Sequence, residues 1–193
     1  TYPFGCGLSY TTFSQKLDAV ECEIGGTGKA TVTVENTGDT AGKSVVQLYV
    51  QAPYTQGGVE KSAIQLIGFG KTSLLDPGAS ESVEVEFDPR YFASYDKTFA
   101  NEDGTEGAWV LESGDYYFAI GNGAHEALNN VIAQKTGSED KLVMTAETEE
   151  INKDNAIKWT LDETDGTTYS EGVSNQLQDA DLNNLIENTV EYT

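Results

Sequence analysis

Basic residues are scarce in this sequence: 11 Lys and Arg stand against 32 Asp and Glu in 193 residues, a formal net charge of −21. A chain this acidic lacks the cationic surface that tracks phosphates or adheres to anionic lipid, so neither nucleic acid nor a membrane is an expected partner. No apolar run approaches the roughly 18 residues of a membrane-spanning helix. The longest β-like cluster, Val45 to Val50, is interrupted by Gln47. The chain therefore reads as a soluble domain. It also lacks a basic stretch leading into an apolar one, and it opens on Thr1-Tyr2-Pro3-Phe4-Gly5 like the interior of a longer polypeptide. Two cysteines, Cys6 and Cys22, are too few for a metal cluster. Their number permits a disulfide, while the place of Cys22 in an alternating pattern fits a small buried thiol; the compartment stays open.

Aromatics, by contrast, are plentiful and spread along the chain, with 10 Tyr, 7 Phe and 2 Trp, which argues for a folded domain over disorder. From Leu17 to Gly121 the dominant signal is period-two alternation in short runs separated by Gly, Pro, Asn and Asp. Val20, Cys22 and Ile24 alternate with glutamates, and Ala30, Val32 and Val34 follow a Gly25–Gly28 loop. Ser44 to Ala52 carries apolar residues on both faces and reads as a central strand ended by Pro53. Ile64 to Phe69 is a weaker run, and Pro77-Gly78 favours a type II turn. Ser80 to Phe87 sends Val83, Val85 and Phe87 one way and Glu84 and Glu86 the other. Tyr91 to Asp96 reads as a helical turn and 101–107 as a loop. Trp109–Leu111 and Tyr116–Ile120, joined by Glu112-Ser113-Gly114-Asp115, read as a final hairpin. About seven strands at this spacing predict an all-β, immunoglobulin-like or fibronectin III-like sandwich.

Beyond Gly121, Ala124, Ala127, Leu128, Val131 and Ile132 mark an amphipathic helix ending near Gly137. Leu142–Met144 and Ile157, Trp159, Leu161 are two candidate strands. Residues 162–181 read as a loop, and Asp179–Val190 as a short helix.

Catalytic chemistry finds little footing. The single histidine, His125, sits in the predicted helix beside Glu126 and reads as a surface residue. Carboxylates are so numerous that a pair at any spacing carries no information about glycoside hydrolysis. Asn101–Gly104 and Asp162–Gly166 place oxygen ligands near glycine without completing a calcium loop, and the Gly-rich stretches lack a phosphate-loop lysine. No cofactor or metal is expected. Tyr54, Tyr91, Tyr95 and Tyr117 are candidates for stacking on sugar rings, with core packing the commoner role of such residues.

The opening Tyr2-Pro3-Phe4-Gly5-Cys6-Gly7-Leu8-Ser9-Tyr10-Thr11-Thr12-Phe13 resembles the segment leading into the fibronectin III-like domain of family 3 glycoside hydrolases, the β-glucosidase and β-xylosidase family. The likeness continues in order through Val32–Asp39 with its Asn-Thr-Gly turn, Ala41–Val50, Leu66–Thr72, Leu75–Gly78 and Trp109–Tyr116. Cys6 departs from the family's usual residue. The segment after Gly121 resembles members of permuted order, in which the sandwich precedes the barrel domain. The family's nucleophilic aspartate and acid/base carboxylate belong to catalytic domains that no position here matches, so the resemblance implies no catalytic residue in this chain.

Together these readings set residues 1–12 as an N-terminal linker, 13–121 as the sandwich, 122–170 as an appended helix and strands packed on it, and 171–193 as a linker toward a following domain. The expected role is a non-catalytic accessory domain that stabilises and orients the catalytic domains of the same polypeptide, acting on β-glycosides. Tyr2, Phe4 and Tyr10 are the candidates for the interdomain interface. The alternative is a carbohydrate-binding module that presents exposed aromatics to its ligand.

Overall fold

The computed structural model describes residues 7–138 and 151–170. In chain order these form β1 (Phe13–Glu21), β2 (Gly28–Asn36), β3 (Val45–Gln51), β4 (Gln65–Lys71), β5 (Ser80–Phe87), a 3-10 turn (Pro89–Phe92), β6 (Ser94–Ala100), β7 (Glu106–Val110), β8 (Gly114–Ile120), α1 (Ala124–Thr136), a second 3-10 turn (Lys153–Asn155) and β9 (Ala156–Leu161). Two antiparallel sheets, β1-β2-β5 and β4-β3-β8-β9, face each other, and β6-β7 is a separate ribbon.

Alternation fills the space between the sheets. Ala30, Val32 and Val34 of β2 and Val83, Val85 and Phe87 of β5 meet Val46, Leu48 and Val50 of β3 and Tyr116, Phe118 and Ile120 of β8. Rings continue the core in series: Phe87–Phe118 centroids are 5.2 Å apart, Phe92–Tyr116 5.6 Å and Tyr116–Trp159 5.3 Å. Such pairs add to the area they bury. The outward face of β1-β2-β5 is polar, with Lys29 bonded to Glu84 across it. In β1 the register slips between Leu17 and Ala19, so Leu17 and Val20 both pack against the core although they are three residues apart. Asp18, the extra residue of this bulge, accepts from Lys16 and Thr33. The turn at Pro77-Gly78 is closed by Ala79 N donating to Asp76 O, with Gly78 at φ 75°, as a type II turn requires.

The structure departs from the sequence reading in several places. Trp109 and Val110 do not form a hairpin with Tyr116–Ile120: β7 pairs with β6, with Tyr95 opposite Trp109, while β8 lies between β3 and β9. Val110 and Leu111 are consecutive and both buried, so alternation breaks there and the chain crosses from the ribbon to the sheet. The helical turn is confined to Pro89–Phe92, capped by Asp88 accepting from Arg90 N, and the loop that follows β6 spans only 101–105.

A further difference concerns the C-terminal boundary. The sandwich does not close at Gly121: β9 hydrogen-bonds along β8 from Gly114↔Leu161 to Ala119↔Ala156. Just before β9, Asn155 accepts from Leu17 N at 3.1 Å and donates to Gln15 O at 3.2 Å, joining this sheet to β1. The strand expected at Leu142–Met144 and the helix at Asp179–Val190 lie outside the described residues.

Between β8 and β9, α1 covers the outer face of the four-stranded sheet, with Ala127 and Val131 against Tyr49, Ala119 and Ala156. Its buried face includes Asn129 and Asn130 and is rotated from the apolar stripe expected, leaving Leu128 and Ile132 half-buried. Asn130 accounts for part of this rotation: it donates to Ile120 O at 2.9 Å and accepts from Asn152 N at 2.8 Å, satisfying both ends of a buried amide.

Two outcomes test this arrangement. A chain ended at Gly121 is expected to lose cooperative urea unfolding, because Tyr116 and Phe118 lose Trp159 and β8 loses its ladder with β9, whereas a chain ended at Ser170 keeps it. Asp115 accepts from Thr160 at 2.7 Å and Lys158 at 3.3 Å across β8–β9, and the Thr160 bond holds its carboxyl below the ordinary value of 3.8. Its stabilisation is therefore present above that value and lost as pH falls through the lower native one. The difference in urea midpoint between the native chain and Asp115→Asn should vanish on acidification through that window.

Candidate functional site

Strand directions give the sandwich two poles. At one, β2 and β4 end, β3 and β5 begin, and the N-terminal segment arrives; the 52–64 loop, the β6-β7 ribbon and residues 162–170 occupy the other.

Asn36 organises the first pole. Its side chain is fully buried and uses every bond an amide readily makes: Oδ1 accepts from Thr11 Oγ1 at 2.7 Å and Gly38 N at 3.1 Å, and Nδ2 donates to Thr40 O and Leu75 O, both at 2.9 Å. Its backbone N–H donates to Ala79 O, and its carbonyl accepts from Gly78 N. Thr12 O in turn accepts from the N–H groups of Thr37 and Gly38. Residue 38 must be glycine for this approach, because a Cβ there would collide with Thr11 Oγ1 and lie 2.8 Å from Thr12 N.

Around this fixed point, large apolar side chains face outward. Tyr10 is 97% exposed and Leu8 is fully exposed; Phe69 is 68% exposed, and Val45 and Leu74 are exposed as well. Phe69 pairs with Gln47 and Val45 with Lys71, so both lie on the outer face of the four-stranded sheet. Of the sequence-predicted interface residues, Tyr10 is placed here, while Tyr2 and Phe4 lie outside the described residues. The sequence reading missed Phe69, Val45 and Leu74; alternation could not have found Phe69, because Ile67 two residues before it shares its phase yet packs in the core, where the β3–β4 register shifts between Leu48 and Tyr49.

The far pole carries the other exposed aromatics. Tyr95 (53% exposed) and Trp109 (37%) are paired edge to face with centroids 5.7 Å apart, and Tyr54 and Tyr91 are also exposed. Tyr117 is half-buried beneath Lys135 Nζ, 4.5 Å from its ring centre. A cleft of about 400 Å³ runs between Gly57–Glu60 and the stretch Tyr95–Thr98, with Glu112 on its wall. Lys61, its side chain buried, contacts Glu112, and burial lowers its pKa.

His125 is exposed on α1. Among the described residues no group of three or more His, Cys, Asp or Glu is placed to hold a metal ion. Cys22 is a half-buried free thiol whose pKa burial pushes up to about 12. The Thr98 N–H and hydroxyl hold Asp96 below the usual carboxylate range, and the Thr105 hydroxyl and N–H do the same for Asp103. A general acid needs the opposite shift. Asn36→Ala is expected to lower unfolding free energy by about 3 kcal/mol in a urea titration, since it orphans the buried Leu75 carbonyl and three part-buried partners.

The model of the fibronectin type III-like domain family matches residues 44–124. β-Glucosidase A of Butyrivibrio fibrisolvens is 35% identical over 168 aligned residues, covering 75% of this chain and 19% of that protein. A β-glucosidase of Ruminococcus albus is 39% identical over 126, covering 65% and 13%. Among solved structures, a β-glucosidase from Paenibacillus barengoltzii matches with TM-score 0.58 at 33% identity over 85% of this chain and 15% of that one. β-Glucosidase 3B from Thermotoga neapolitana matches with TM-score 0.58 at 30% identity, over 85% and 18%. The chain thus spans less than a fifth of the length of these relatives.

Proposed function

We propose that this chain, whose residues 44–124 match the fibronectin type III-like domain family and which resembles part of several β-glucosidases, is a non-catalytic accessory domain of a family 3 glycoside hydrolase of the β-glucosidase type. It stabilises and orients the catalytic domains of the same polypeptide, which act on β-glycosides. The observation that carries the reading is the N-terminal pole, where Tyr10, Leu8, Phe69, Val45 and Leu74 stand exposed around a backbone fixed by Asn36. Interior positions are filled by packing, so exposed side chains such as these are available to a neighbour. Covering a Phe or Leu contributes roughly 1.5–3 kcal/mol each, enough for a few such contacts to set an interdomain angle. Tyr2 and Phe4 are the further interface candidates in this reading.

Tyr10→Ala and Phe69→Ala are expected to lower the thermal midpoint of the full-length enzyme by several degrees while leaving that of the 193-residue chain nearly unchanged. Equal losses in the two would argue against docking. The purified chain should release no aglycone from an aryl β-glycoside; hydrolysis proportional to its concentration would overturn the non-catalytic role.

A further inference from the structure

The β6-β7 ribbon joins neither sheet, so the sandwich does not account for it, and its aromatic pair is turned outward. Tyr95 is nonetheless held in place. Trp109 abuts it from the opposite strand, and Gly107, at φ 97°, lies beneath its ring: a Cβ there would collide with Tyr95 Oη and sit 3.1 Å from Cζ. A left-handed glycine spent on laying down a half-exposed tyrosine makes a rigid aromatic ledge, ordered before any ligand arrives.

That ledge forms one wall of the cleft described above, whose volume lies in the usual range for small-ligand sites. The remaining wall is polar. Gly57 and Gly58 bring backbone close to the opening, and Glu60, Asp96, Lys97 and Thr98 supply acceptors and donors. Two of the charges are engaged already: Lys61 pairs with Glu112, and Asp96 accepts from the N–H and hydroxyl of Thr98, both at 2.8 Å. Excess negative charge across the chain disfavours an anion. A flat apolar face beside a hydroxyl-matching rim suits a pyranose, whose axial C–H face stacks on an aromatic ring while its hydroxyls bond to carboxylate and backbone groups.

We propose that this cleft is a binding site for a neutral oligosaccharide, with Tyr95 as the stacking platform and Trp109 as its brace. The site lies at the pole opposite Tyr10 and Phe69, so it stands independently of the docking role.

The test titrates the 193-residue chain with cello-, laminari- and xylo-oligosaccharides, read by calorimetry and by tryptophan emission in a Trp159→Phe background that leaves Trp109 as sole reporter. Saturable binding of at least one series is expected. Tyr95→Ala should weaken it about tenfold, or about 1.4 kcal/mol, and Tyr95→Phe should keep it within about twofold, both with an unchanged thermal midpoint. Tyr10→Ala should bind normally, which separates failure here from failure of the docking surface. No saturable response to any series, equal affinity in Tyr95→Ala, or a response only to cationic peptides that salt abolishes would each overturn the proposal.

Discussion

The buried amide of Asn36 fixes where four stretches of chain meet. Its four side-chain bonds and two backbone bonds reach Thr11, Gly38, Thr40, Leu75, Gly78 and Ala79, so the N-terminal segment, the turn after β2, the approach to β3 and the start of β5 share one reference point. An apolar residue of similar size would fill the space and leave the buried Leu75 carbonyl and three part-buried groups without their partner, at a cost greater than the bonds themselves contribute. Fixing this point also decides which side chains end up outside. Thr11 is tied inward, so Tyr10 and Leu8 next to it stand in solvent.

Much of the fold follows from alternation filling one space from two sides, but the four-stranded sheet needs more than that. Its outer face is apolar at Tyr49 and Ala119, and α1 is the element that covers it. With α1 inserted between β8 and β9, the last strand arrives late in the chain and still completes the aromatic series through Trp159. The outer face of the three-stranded sheet carries Lys29, Glu84 and Glu86 and needs no cover. That asymmetry leaves the two poles as the surfaces open to partners.

Elements with one buried face were legible in the sequence. β5 was visible in Val83, Val85 and Phe87, β3 in its two covered faces, and the Pro77-Gly78 turn in its dipeptide, because each signal is local. Pairing was not. Trp159 marks a strand, yet nothing near it tells that its partner is β8, and the Gly114-Asp115 signal suggested a hairpin that the burial of both Val110 and Leu111 overrides. The helix was visible from its spacing, but its rotation depends in part on Asn130, whose partners at Ile120 and Asn152 are set by the tertiary fold. Tyr10 could be named from its place near the chain entry under the family resemblance, and Tyr95 as an aromatic able to stack on a sugar. The placing of Phe69 opposite Gln47 and of Gly107 beneath Tyr95 required register and backbone angle, which no single-residue pattern encodes.

The bonds from Asn155 to Leu17 and Gln15 span separations of 138 and 140 residues. Closing so long a loop costs entropy before any contact repays it, which places this domain among slow-folding topologies. During synthesis β1 through β8 leave the ribosome well before their closing strand, so the ring faces of Tyr116 and Phe118 spend that interval without Trp159. The dense carboxylate coat of the chain then serves the nascent state as much as the native one: like charges keep unfinished sheets from finding one another until β9 arrives.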